Sequence, residues 1–202
     1  VFISFEGIEA SGKSTLMAAI ERALRAEGHE VVVTREPGGT PVGDSLRQIL
    51  LDEPFSVTPV SEMLMMNASR SQLVTEVIRP ALERGAVVLC DRYMHSSLAY
   101  QGYGRELPLE LVRSVCDAAT GGLMPDLVLL VDISPETSRA RLASRGNGHD
   151  RLEREDEAFH RRVREGYLEL ARHDERVVLI DGERSPEEVN DAAMAALSAV
   201  LA

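Results

Sequence analysis

Apolar runs alternate with helical patterns along the whole chain. Residues 1–5 are short and nearly all apolar, and read as a buried strand. Leu16, Ala19, Ile20, Ala23 and Leu24 then fall on one face of a helix predicted over 14–27, with Gly28 as its stop. Residues 31–34 predict a second strand, followed by the turn-forming Pro37-Gly38-Gly39. The stretch 59–84 predicts mostly helix, with a break or stop expected at Pro80 because proline lacks the N–H a helix needs. A third strand is expected over 86–90, ending at Asp91, and a helix over 108–119. A fourth strand follows over 127–133. The next helix, 135–144, has Ser134 as N-cap and Pro135 at its first position, and Gly146-Asn147-Gly148 interrupts it. A long charged helix over 152–173, a fifth strand over 177–180 and a closing helix over 185–201 complete the pattern.

Near-continuous apolar strands separated by helices imply a parallel sheet covered on both faces. The expected fold class is α/β: three layers, α/β/α, around a five-stranded parallel sheet. No internal repeat, low-complexity segment or linker divides the chain, so 1–202 is expected to be one domain.

The chemistry begins where the first strand ends. Gly7-Ile8-Glu9-Ala10-Ser11-Gly12-Lys13-Ser14 is a Gly-x-x-x-x-Gly-Lys-Ser phosphate-binding loop, placed after a strand and before a helix as that motif requires. The fold class thereby narrows to the P-loop NTPase type. Glycines let the backbone approach an anion, and the loop N–H groups converge on it with the helix N-terminus behind them. Lys13 is expected to reach the β- and γ-phosphates, Ser14 to ligate Mg²⁺, and Thr15 to complete the ATP-binding segment. Lys13 is the sole lysine in a chain whose other basic side chains of this class are arginines. A compact ammonium fits between phosphate oxygens where a planar guanidinium does not. Asp91, at the carboxyl end of a buried strand, is placed to hold the metal with Ser14, and Arg92 beside it to hold a phosphate. Arg139, Arg141, Arg145 and Arg151, interrupted by glycines, fit a lid over about 139–153 that closes on transferring phosphates.

Composition narrows the partners. The formal net charge is −11, which argues against a nucleic-acid binder or a membrane-surface protein. No apolar run approaches the roughly 20 residues needed to cross a bilayer, and no signal-peptide pattern stands at the start. A cytoplasmic location is expected, with an initiator methionine absent before Val1. Cys90 and Cys116 read as buried free thiols without a metal-ligand pattern around them.

Several further motifs, taken together, resemble thymidylate kinases, which phosphorylate dTMP with ATP. They are Phe5-Glu6-Gly7-Ile8-Glu9, Thr34-Arg35-Glu36-Pro37-Gly38-Gly39-Thr40, Asp91-Arg92-Tyr93, Ser96-Ser97-Leu98-Ala99-Tyr100-Gln101-Gly102 and Asp150-Arg151-Leu152-Glu153. The second and fourth are far more specific than the phosphate loop. The resemblance implies that Glu9 lies near the deoxyribose 3′-hydroxyl and that Arg92 grips the acceptor phosphate. Arg70 would hydrogen-bond the thymine edge, and Ser97 and Gln101 would read the base. Tyr100 would pack where a 2′-hydroxyl would clash, and Arg35 belongs to the same substrate-binding set. Arg141 would pack on adenine, and Arg145 would stabilise the transferring phosphoryl group, because the loop carries Ala10 and Ser11 rather than an arginine. Lys13, Arg92, Arg145 and Glu9 would then be the catalytic set. A homodimer is implied as well. One departure stands out: Met66 occupies the place where the family usually has a phenylalanine stacked on thymine.

Two other readings compete. A GTP-dependent switch reads guanine through an Asn-Lys-x-Asp segment, which a chain with only Lys13 cannot contain. A P-loop kinase acting on another nucleoside monophosphate, or on a small phosphorylated metabolite, draws its support from Met66.

Overall fold

The computed structural model describes residues 1–51, 55–145 and 150–201. Five parallel strands form its centre: β1 Phe2–Glu6, β2 Val31–Arg35, β3 Val87–Asp91, β4 Leu127–Asp132 and β5 Val177–Asp181. Their order across the sheet is β2-β3-β1-β4-β5. Every residue of β1 is buried, as expected for a central strand with helices on both faces. The register aligns Phe5 of β1 with Asp91 of β3, and Asp91 with Arg35 of β2. Three carboxyl ends therefore deliver the phosphate loop, Asp91-Arg92 and Arg35-Glu36 to one edge of the sheet, where open α/β sheets bind ligands.

The period-2 alternation of β1 sorts its side chains between two cores. Ile3 and Phe5 pack with Leu16, Ile20 and Leu24 of helix α1 (Lys13–Ala26), and with Ala193 and Leu197 of the closing helix. Phe2 faces the opposite core with Leu73, Ile78, Val112 and Cys116. Both cysteines are free and buried.

The helices show where local pattern and tertiary context diverge. Helix α2 (Pro41–Leu51) was not expected, and among its residues only Gly43 and Leu50 are buried. Pro80 does not stop the helix that contains it. Helix α3 (Pro59–Leu73) runs into a π-helical turn, Val74–Ile78, and continues as α4 (Arg79–Glu83). The wider turn upstream accommodates the donor that proline lacks.

Helix α5 (Met94–Ser97) leads into a second π-helical segment, Leu98–Gly104, and α6 follows at Leu109–Thr120. Helix α7 (Pro135–Arg145) is capped as expected, with the Thr137 N–H donating to Ser134 Oγ at 3.1 Å. Helix α8 (Glu157–His173) begins later than its charge pattern suggests. Asp156 caps it by accepting from the Phe159 N–H at 2.7 Å, while Asp150 Oδ1 folds the preceding segment into a turn by accepting from the N–H groups of Leu152 and Glu153, both at 2.9 Å. Helix α9 (Pro186–Leu201) closes the chain. No described helix is long and apolar enough to cross a membrane.

Candidate active site

The phosphate loop turns on two glycines. Gly7 has φ 136°, and a Cβ there would run into the carbonyl oxygen of Val131. Gly12 has φ 102° in open space, so its conformation alone demands glycine. Gly12 is also the N-cap of α1 and supplies no side-chain acceptor, which leaves the first N–H groups of the helix free for an anion. Lys13 is buried beside them. Its Nζ donates to Gly7 O at 3.0 Å, Ile8 O at 2.9 Å and Ser11 Oγ at 3.4 Å. Burial, reinforced by the Arg92 charge, lowers the Lys13 pKa to about 8.

Arg92 is the hub of the site. It sits at φ 72°, a left-handed conformation unusual for a side-chain-bearing residue, immediately after β3. Its Nη1 donates to Gly7 O at 3.0 Å, Tyr167 Oη at 3.1 Å and Ser96 Oγ at 3.2 Å. Its Nη2 donates to Glu9 Oε1 at 3.0 Å and Tyr100 Oη at 3.1 Å. Tyr100 also donates to Glu9 Oε1 and lies under the guanidinium, 4.9 Å from ring centroid to Arg92 Cζ. Burial would raise the Glu9 carboxyl, but Arg92, Tyr100 and Lys13 together hold it below the usual range. Glu9 Oε2 is buried without a hydrogen-bond partner.

One cavity gathers most of the residues expected from the sequence. Its walls include Glu9 through Thr15 of the loop, Asp91 and Arg92 of β3 and its end, Met66 and Arg70 of α3, and Ser97, Tyr100 and Gln101. Gly7 and Ile8 lie beneath the loop rather than in the wall. Arg35 is not brought in: it is exposed, 3.6 Å from Asp44. Arg47 of α2 lines the cavity instead, with Nη1 donating to Pro37 O at 3.0 Å.

Arg70 is almost fully enclosed. Its Nε and Nη2 each lie 2.7 Å from Glu36 Oε2, its Nη1 donates to Asn67 Oδ1 at 2.8 Å, and its Nη2 donates to Tyr93 O at 3.0 Å. Burial opposes its charge, but the Glu36 carboxylate holds its pKa above the ordinary value. Arg141 stands behind the loop, with Nη1 3.3 Å from Ala10 O and Nη2 3.0 Å from Gly182 O. Arg145 ends α7, and its side chain lies outside the described residues, as do 146–149 of the expected lid.

Ser14 and Asp91 line the same cavity, and Asp91 Oδ1 is buried with no partner. A hydroxyl and an unpaired carboxylate oxygen make a donor set suited to a hard divalent cation.

The arrangement is an anion cradle with a buried ammonium, and a guanidinium donates to the same Gly7 carbonyl oxygen as that ammonium. The sequence profile of the thymidylate kinase family matches residues 5–193. The chain belongs to the thymidylate kinase family. It is 51% identical over 199 residues to a thymidylate kinase of Deinococcus radiodurans, covering 98% of this chain and 96% of that one. It is 48% identical over 193 residues to one from an Exiguobacterium species, covering 95% and 91%. The crystal structure of thymidylate kinase from Ehrlichia chaffeensis superposes with a TM-score of 0.79 at 29% identity, covering 98% of each chain.

Within this thymidylate kinase site, sequence reasoning gave no role to several residues. Arg47 is one, and no local motif marks it. Glu6 is fully buried and accepts from the Tyr93 N–H at 2.8 Å, Ser96 Oγ at 2.6 Å and Tyr167 Oη at 2.9 Å, which fixes the backbone around Arg92. Glu62, also fully buried, accepts from Gln101, Arg105 and Arg151. A lone carboxylate opening an apolar helix, Glu62-Met63-Leu64-Met65-Met66, was the available signal.

Burial raises the Glu62 carboxyl, but hydrogen bonds from Arg105, Gln101 and Arg151 bring it below 4.5. Its folded value lies below its unfolded one, so this network adds stability that is full above about pH 4.5 and is lost as pH falls through the lower folded value. The expected result is that Glu62→Gln flattens the acid limb of Tm against pH below about pH 4.5, read by thermal melts.

Proposed function

We propose that this chain transfers the γ-phosphoryl group of ATP to dTMP, giving dTDP and ADP, as a step toward dTTP. The observation that carries the reading is Arg92. It is a half-buried guanidinium that shares the Gly7 carbonyl oxygen with the Lys13 ammonium and lines the same cavity as Met66, Ser97 and Gln101. Two polyanions then meet end to end. The ATP phosphates lie on the N–H groups of the loop and α1, and the acceptor phosphate lies against Arg92.

The acceptor oxygen is ionised at neutral pH, so no strong general base is required. The protein's work is alignment and neutralisation of charge by Lys13 and Arg92, with Arg145 arriving from a lid over 139–153. Ser14 and Asp91 would hold Mg²⁺, which supplies charge neutralisation on the phosphates. Glu9 and Tyr100 orient the deoxyribose through the carboxylate–hydroxyl pair that Arg92 anchors. Arg70, Ser97 and Gln101 read the base, Met66 covers its face, and Arg141 packs on adenine from behind the loop. The protein acts as a homodimer. The exposed Val42 and Ile49 of α2, Val60 and Leu64 of α3, and Leu111 of α6 support that assembly as an apolar face.

The test is a panel of dTMP, dUMP, dCMP, AMP and GMP with ATP and Mg²⁺ in a coupled ADP assay. The highest kcat/KM is expected for dTMP. A higher value for any other acceptor overturns the substrate assignment and leaves the kinase class intact.

A further inference from the structure

Glu62 never reaches the substrate cavity, yet its hydrogen bonds decide what Gln101 can offer there. Glu62 Oε1 accepts from Gln101 Nε2 at 2.8 Å and from Arg105 Nε at 3.3 Å. Its Oε2 accepts from Arg105 Nη2 at 3.0 Å and from Arg151 Nη2 at 2.6 Å. An ionised carboxylate has lone pairs and no proton, so it can only accept. Two guanidinium groups keep it ionised despite complete burial. An amide beside it must therefore present its NH₂ group. The Gln101 orientation thus follows from chemistry and not from how the two amide ends are drawn.

With Nε2 committed to Glu62, the Gln101 carbonyl oxygen is the end left for the cavity that Gln101 lines. A hydrogen-bond acceptor in that place matches a base whose ring nitrogen carries a proton. Thymine has such an imide N–H. Cytosine has a lone pair at the same ring position, and two acceptors would face each other.

We propose that Glu62 is a positioning residue for base selectivity: by fixing the Gln101 amide it makes the site take an imide base and reject an aminopyrimidine. The inference rests on the dTMP reading above and deepens it. Arg151 gives the network a second attachment. Its Nε donates to Leu50 O at 2.8 Å, so the carboxylate that orients Gln101 also pins the segment following 146–149 to the end of α2.

The experiment compares dTMP with 5-methyl-dCMP, which differ only at the edge in question. Values of kcat and KM are measured with ATP for the wild type, Glu62→Gln and Gln101→Met. A wild type that does not phosphorylate dTMP refutes the functional reading itself, before either variant is considered. Given dTMP activity, Glu62→Gln frees the Gln101 amide to turn. The kcat/KM ratio of dTMP over 5-methyl-dCMP should fall by about tenfold or more, as expected when one buried acceptor loses its match. The fall should come through KM for dTMP, with kcat and KM for ATP held within about twofold.

Gln101→Met should lower the ratio similarly, and adding Glu62→Gln to it should lower the ratio no further. Equal losses for both acceptors, or an unchanged ratio, would mean that Glu62 is only structural and would overturn the proposal. If Glu62→Gln does not fold, Gln101→Met decides alone: an unchanged ratio there removes Gln101 from base discrimination and the proposal with it.

Discussion

Lys13→Met is expected to lower kcat by at least about 10²–10³, the usual cost of one lost donor at a developing anion, and by more because a whole charge is removed. The methionine keeps most of the stem and gives up only the ammonium. Two opposing changes act on the fold. The variant no longer buries a charge held at a cost, a cost visible in the Lys13 pKa lowered to about 8 by burial. It also leaves Gly7 O and Ile8 O without the donor that reaches them at 3.0 and 2.9 Å. With each kcal/mol worth about 2–4 °C in a domain of this size, these terms nearly offset, and the melt should stay within about 5 °C of the wild type. Activity should collapse while the structure holds. Lys13→Arg should not restore it, because a planar guanidinium does not fit a loop closed on a point charge. Steady-state kinetics with a melt of each variant reads all three outcomes. Turnover near the wild-type rate in Lys13→Met would remove the ammonium from the chemistry.

The contrast between Lys13 and Arg92 shows what could be read before folding. Lys13 belongs to a contiguous motif whose spacing carries its own geometry, so loop, strand and helix were all legible. The same holds for β1, β3 and β4, whose apolar runs are buried nearly throughout. Arg92 was expected to hold a phosphate from its place at a strand end, and the structure puts it in the cavity wall. Its five hydrogen-bond partners were not, because they come from residues 7, 9, 96, 100 and 167.

Helix α2 escaped notice although Val42, Leu46, Ile49 and Leu50 fall at helical spacing, and Arg47 was lost with it. The start of α8 was misplaced because Arg154-Glu155-Asp156 continues a helical charge pattern, while the turn at Asp150 and the cap at Asp156 end it. Arg35 was expected at the substrate and instead is exposed near Asp44, outside the cavity wall. The partners of Arg92 and the place of Arg47 depend on residues meeting across the fold, which no local window contains, whereas the Asp150 turn and the Asp156 cap are local signals that the charge pattern masked.

Arg141 and Arg145, both within the expected lid, are given different roles, and their mutants should behave differently. Arg141 is committed where it stands: its Nη1 lies 3.3 Å from Ala10 O and 3.5 Å from Ser11 O, and its Nη2 lies 3.0 Å from Gly182 O. Moving to the transferring phosphoryl group would mean abandoning these carbonyls. Arg145 follows one helical turn later, at the end of α7 and within the expected lid over 139–153. Arg145→Ala is therefore expected to lower kcat by about 10³–10⁵, the range for an arginine that neutralises a transferring phosphoryl group, while KM for dTMP changes far less. Arg141→Ala should instead raise KM for ATP and leave most of kcat, because a group that touches nucleotide equally in ground and transition states contributes only uniform binding. The two variants assayed side by side decide the matter: a collapse of kcat in Arg141→Ala with turnover intact in Arg145→Ala would move the transition-state charge to Arg141.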